Sequence, residues 1–127
     1  MAFYQRTIVI VEDEPDTAEM LAEMMRLNGY QVRKVYNGRP AMTIIAQEKP
    51  DAVLLDVMMP DISGLEVLNF MKHEPSLTHI PVVIVSAKCQ PADIDSGYEA
   101  GAMAYLTKPV AYVDLKRTMA SAIQEYR

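Results

Sequence analysis

Four short apolar runs govern what this chain can fold into. Ile8-Val9-Ile10-Val11, Ala52-Val53-Leu54-Leu55, Val82-Val83-Ile84-Val85 and the shorter Tyr105-Leu106 carry no polar interruption. A strand with one wet face alternates, whereas a continuous run marks a strand covered on both faces, as in a parallel sheet between two layers of helices. Gln31 to Tyr36 is more polar and partly alternating, and is predicted as an edge strand.

Helical patterns fill the gaps. The first helix is predicted from Pro15, which suits the N1 position, with Ala18, Leu21 and Met25 on one face and a stop at Asn28-Gly29. It also carries Met20, Met24 and Leu27, so it is apolar over more of its circumference than one-sided packing requires. A second spans about Ala41 to Glu48 with Ala41, Ile44 and Ile45, and a third about Leu65 to His73 with Leu68 and Met71. The fourth runs from about Ala92 to Ala100 and stops at Gly101, a natural C′ residue. In the last, Leu115, Met119, Ala122, Ile123 and Tyr126 recur at the spacing of one buried face. Alternating strands and helices predict an α/β fold: a three-layer, doubly wound, five-stranded parallel sheet. A change of winding direction beside the first strand would open a crevice next to strands one and three.

A length of 127 residues suits one domain, taken here as residues 1–127, with a core of its own. No segment approaches the roughly 20 consecutive apolar residues of a membrane span. Met1-Ala2-Phe3-Tyr4-Gln5-Arg6 lacks the order of a signal peptide, so a cytoplasmic location is expected and no membrane partner. A single cysteine, Cys89, excludes an intrachain disulfide and suits a reducing compartment; without a His partner it reads as incidental. Net charge of −5 with scattered Lys and Arg argues against direct nucleic-acid binding.

Each apolar run ends on a reactive side chain. The first leads to Glu12-Asp13, the second to Asp56, the third to Ser86, and the fourth to Thr107-Lys108-Pro109. Ligands of open α/β sheets bind outside the carboxyl ends of the strands, so these groups gather at one edge, with three carboxylates facing the crevice. Clustered carboxylates resist ionising together unless a cation neutralises them, and Mg²⁺ characteristically takes one or two carboxylates and shares oxygens with a phosphate. Asp56 is a ligand or a nucleophile that accepts a phosphoryl group. Lys108 would contact a phosphate oxygen and Ser86 would donate to another, completing a phosphoryl-transfer site. Taken singly, an acidic helix start, a capping Asp, a strand-ending Ser and a surface Lys are ordinary; their common place along four strands is what carries the reading.

Over essentially its whole length the chain resembles the receiver domains of two-component response regulators, the CheY-like family. The matching stretches are Val9-Ile10-Val11-Glu12-Asp13-Glu14-Pro15, Leu54-Leu55-Asp56-Val57-Met58-Met59-Pro60, Ser63-Gly64, Val83-Ile84-Val85-Ser86-Ala87 and Gly101 to Pro109. The resemblance implies a flavodoxin-like strand order 2-1-3-4-5. It makes Asp56 the phosphoacceptor and Asp13 a Mg²⁺ ligand, with Glu12 acting through water and Met58 offering its backbone carbonyl. Lys108 would pair with the phosphoryl group, Ser86 would be the switch hydroxyl, and Tyr105 the aromatic that follows it. It further implies a cis Lys108-Pro109 bond and a tight turn at Gly64. A sensor histidine kinase or histidine phosphotransfer protein would donate the phosphoryl group. The face around the fourth helix, fifth strand and fifth helix would speak to an effector domain or protein, with a homodimer possible on phosphorylation.

On this reading the domain is a signalling switch and not an enzyme, since it catalyses only its own phosphorylation and dephosphorylation. Two alternatives stand beside it. An aspartyl-nucleophile Mg²⁺-dependent phosphatase of the haloacid dehalogenase type would want a second aspartate two residues after the first, where Met58 stands. A non-phosphorylated pseudo-receiver would be expected to have lost Asp13, Asp56 or Lys108, and all are present. Mutual repulsion of the carboxylates further predicts that Asp56→Asn stabilises the metal-free fold while Asp51→Asn, at the other end of the strand, leaves it unchanged.

Overall fold

The computed structural model describes residues 5–125. In chain order the elements are β1 (Thr7–Val11), α1 (Pro15–Arg26), β2 (Gln31–Val35), α2 (Gly38–Glu48), β3 (Ala52–Leu55), α3 (Gly64–His73), β4 (Val82–Ser86), α4 (Pro91–Glu99), β5 (Ala104–Thr107) and α5 (Tyr112–Glu125). The strands form one parallel sheet in the order β2-β1-β3-β4-β5. This is the α/β, doubly wound architecture that the apolar runs require.

Alternate residues of each central strand feed two separate cores, because successive side chains point to opposite faces. Val9, Val11, Val53, Leu55 and Ile84 pack with Ile45 of α2 and Leu68 and Met71 of α3. Ile8, Ile10, Leu54, Val83 and Val85 pack on the other face with Leu21 and Met25 of α1 and Leu115 and Met119 of α5. β2, at the edge, alternates between exposed and half-buried until Val35. Its charges are held by neighbouring helices: Arg33 pairs with Glu48 at 2.8 Å and Lys34 with Glu19 at 2.6 Å. Charged side chains on an edge strand discourage pairing with another chain.

Local signals placed most boundaries. α1 does start at Pro15, and after it Asn28 N–H donates to the Met25 carbonyl at 3.0 Å. Gly101 follows α4 with φ of +111°, a conformation glycine adopts without strain. α2 departs from expectation: it begins at Gly38 rather than near Ala41. Asn37-Gly38-Arg39-Pro40 reads as a turn, but Asp61, from the loop after β3, accepts from Gly38 N–H at 2.9 Å and Arg39 N–H at 2.7 Å and so starts the helix earlier. Ile44, expected on the buried face of α2, is only partly buried, while Ala41 and Ile45 are fully so. Of the further apolar residues of this segment, Met20 and Leu27 are exposed, whereas Met24 is partly buried against the α1–α5 core. Tyr126, assigned to the last helix face, lies outside the described residues.

Candidate functional site

Strand register brings the acidic residues together. Val11 of β1 is paired with Leu55 of β3, so the next residues, Glu12 and Asp56, emerge side by side. Backbone bonds continue the ladder past both strands, with Glu12 N–H donating to Val35 O and Asp56 N–H to Val11 O, each at 3.0 Å. Carboxylate oxygens of Glu12, Asp13 and Asp56 all lie within 4.8 Å of one another, Glu12 and Asp56 buried and Asp13 exposed. Glu12 is turned inward and its Oε2 accepts the Glu14 N–H at 3.1 Å, while Asp56 Oδ1 accepts the Met58 N–H at 3.2 Å.

Lys108 closes the cluster. Its Nζ donates to Glu12 Oε1 at 2.6 Å and to Asp56 Oδ2 at 3.0 Å. Burial holds the Glu12 carboxyl above its ordinary range, against the lowering effect of the Lys108 hydrogen bond. Burial alone would push the Lys108 ammonium down, but its bonds to Glu12 and Asp56 outweigh that and hold it up. The difference follows from exposure: the Glu12 side chain is 2% exposed and that of Lys108 23%, so the carboxylate bears more of the cost of leaving water. The Lys108-Pro109 bond is cis.

Ser86 ends β4 fully buried, and its Oγ accepts the Lys88 N–H at 3.2 Å. The Lys88 carbonyl in turn accepts the Tyr105 hydroxyl at 2.7 Å, so Ser86 and Tyr105 are linked through one backbone residue. An open groove of about 790 Å³ runs beside the acidic cluster and is bordered by Asp13, Arg39, Met58, Met59, Asp61 and Lys88. All seven residues singled out from sequence therefore lie at one end of the sheet.

A profile of the response regulator receiver domain matches residues 8–120. The chain belongs to this family. Among curated relatives, it is 39% identical over 123 residues to a Vibrio cholerae protein named "Probable cyclic di-GMP phosphodiesterase", covering 97% of this chain but 28% of that protein. It is 38% identical to Protein PilH of Pseudomonas aeruginosa, covering 88% of this chain and 93% of PilH. Among solved structures, the receiver domain of a signal transduction histidine kinase from Syntrophus aciditrophicus superposes with a TM-score of 0.82 at 35% identity, covering 95% of this chain and 89% of that one. The receiver domain of a Pseudomonas aeruginosa sensor histidine kinase, solved with magnesium coordinated in its active-site cleft, gives 0.88 at 26% identity, covering 95% and 99%.

Three features of this receiver were not foreseen. Gly64 is buried at the first position of α3 and has no positive φ; it is required because a Cβ there would come within 2.1 Å of the Asp56 carbonyl oxygen. The turn explanation is thus replaced by close approach of α3 to the backbone at the end of β3. Asp51 is not a bystander: its Oδ2 accepts the Thr7 N–H at 2.8 Å and its Oδ1 lies 3.8 Å from Arg6. Asp61, passed over in the sequence, caps α2; the lack of any acidic residue in the first turn of α2 was the one local sign that a cap must come from elsewhere.

Proposed function

We propose that residues 1–127 form one receiver unit in which Asp56 accepts a phosphoryl group from a phosphohistidine donor, in the presence of Mg²⁺. The observation that carries this is a buried carboxylate at the end of β3, within 4.8 Å of two others and 3.0 Å from an ammonium. Three converging oxygen donors on a site open to the groove fit a hard divalent cation, which supplies charge neutralisation between the carboxylates and the incoming phosphoryl oxygens. Asp13, Asp56 and the Met58 carbonyl would hold the ion, with Glu12 reaching it through water.

Asp56 Oδ is the nucleophile. As its bond to phosphorus forms, the N–P bond of the donor breaks, the electron pair returns to the imidazole, and that nitrogen takes up a proton. Lys108 would exchange its bond to Asp56 for one to a phosphoryl oxygen, keeping Glu12 as its second partner. Ser86 would then move toward the phosphoryl group, releasing the Lys88 N–H and loosening the link to Tyr105. That change would be read on the α4–β5–α5 face by an effector domain or protein, with homodimerisation one form of the response. Hydrolysis reverses the state: water attacks phosphorus, the acyl phosphate P–O bond breaks, and inorganic phosphate leaves. No external substrate is turned over, so the domain acts as a switch rather than an enzyme, in the cytoplasm and without contacting nucleic acid itself. No helix among the described residues is long and apolar enough to cross a membrane.

Acetyl phosphate with Mg²⁺ should add one base- and hydroxylamine-labile phosphoryl group to the wild type and none to Asp56→Asn, read by intact mass. Equal labelling of both would remove Asp56 from the role.

A further inference from the structure

We infer that Asp61 is a positioning residue that latches the loop between β3 and α3, and with it the Met58 carbonyl, to the start of α2. The inference rests on the Mg²⁺-dependent reading above and names a residue outside the acidic cluster on which that site depends. Asn37, the residue preceding α2, makes no side-chain capping bond, and the first turn has no acid of its own. Both carboxylate oxygens of Asp61 fill this gap, Oδ1 accepting from Gly38 N–H at 2.9 Å and Oδ2 from Arg39 N–H at 2.7 Å. Orphan amide donors at a helix start need such acceptors, and a carboxylate there also meets the positive end of the helix dipole.

The seat is shaped as well as charged. Gly38 is buried, and a Cβ on it would lie 2.5 Å from Ile62 Cγ1 and 3.3 Å from Met59 Cε, so residues on either side of Asp61 press on the first residue of α2. The same loop is tied down at its two ends, by the Met58 N–H on Asp56 Oδ1 at 3.2 Å and by the Gly64 N–H on the Val57 carbonyl at 2.8 Å. Asp61 fixes the middle. With its oxygens committed to backbone amides, it serves the loop and not the ion. Freed from α2, the loop would relax, and Met58, which borders the groove with Asp13 and bonds Asp56 through its N–H, would no longer be held beside the acidic cluster.

Calorimetric titration with MgCl₂ tests this on four proteins: wild type, Asp61→Ala, Asp61→Asn and Ile45→Val. The last weakens the fully buried core of the same helix at a position seven residues beyond Gly38 and leaves both Asp61 bonds intact. Urea melts in EDTA record the stability of each. Supporting partners of metal sites carry roughly tenfold or more in affinity, so Asp61→Ala should weaken Mg²⁺ binding about tenfold. Asp61→Asn, which keeps one acceptor oxygen, should fall between it and wild type. Ile45→Val should melt earlier yet bind Mg²⁺ as wild type does. Equal affinity of wild type and Asp61→Ala overturns the latch. So does a loss of affinity in Ile45→Val that matches its stability loss, because Asp61 would then act through stability alone. Failure of the wild type itself to bind Mg²⁺ would instead overturn the site reading on which the latch rests.

Discussion

Lys108 holds two carboxylates at once, and this changes what the pocket costs the fold. With an effective dielectric near 20, each repulsion on Asp56 from a carboxylate within 4.8 Å is at least about 3.5 kcal/mol, and the Lys108 attraction at 3.0 Å is about 5.5 kcal/mol, before screening. Repulsion still wins, by less than three bare carboxylates would give. Asp56→Asn should therefore raise metal-free stability by on the order of 1 kcal/mol in urea melts with EDTA. Asp51 is unsuitable for comparison because it holds the Thr7 amide; Asp95, exposed on α4, is the neutral one, and Asp95→Asn should melt with wild type. Lys108→Ala should cost about 3 kcal/mol, since it strands two buried carboxylates. Its pH dependence follows from Glu12. Burial raises the Glu12 carboxyl in the folded state, so protonation there adds stability that is complete below the ordinary glutamate value and lost as pH rises through the raised one. In EDTA the deficit of Lys108→Ala should accordingly narrow as the pH falls toward the ordinary glutamate value. A deficit independent of pH would show that Glu12 is not the group left stranded.

Among the helices, α1 has a face its own fold does not consume. Ala18, Leu21, Ala22 and Met25 are buried, while Met20 is 43% and Leu27 74% exposed. Met20 lines a hollow of about 240 Å³ with Thr17, Leu21, Val85, Pro109 and Val110, beside Lys108. A flexible thioether at the rim of an apolar hollow suits docking of a donor protein. Met20→Lys should slow phosphotransfer from a cognate phosphohistidine donor roughly tenfold, equivalent to about 1.4 kcal/mol. Labelling by acetyl phosphate should be unchanged. Leu27→Lys, at the far end of the helix, should transfer normally. Equal rates for Met20→Lys and wild type would place docking elsewhere. Met24, which also looked available from the helical pattern, is partly buried and would report on stability instead.

For the molecule as a whole, the acidic cluster links ion binding to folding. The unfolded chain does not hold Glu12, Asp13 and Asp56 together, so on the proposed reading Mg²⁺ would bind the native state selectively. Mg²⁺ at a hundredfold its dissociation constant should add about 2.7 kcal/mol to wild-type stability and distinctly less to Asp56→Asn, read in paired melts with and without the ion. Identical gains would mean that Mg²⁺ acts away from Asp56.

The fold was written locally. Continuous apolar runs report burial on both faces of a strand, and the helical period reports one covered face, so the alternation of elements follows from neighbours in the chain. The ends of those runs named Glu12, Asp13, Asp56, Ser86 and Lys108, because in a parallel sheet every strand delivers its last residue to the same edge. Pairings within that edge came only with the tertiary structure. Lys108 meets Glu12 across 96 residues of sequence and Asp56 across 52, while Asp61 reaches back 23 and 22 residues to cap α2. Gly64 likewise owes its identity to the Asp56 carbonyl of another element. Such contacts have no period and no local propensity. They are decided by strand register and helix docking, which fix distances between atoms that the order of residues leaves unrelated.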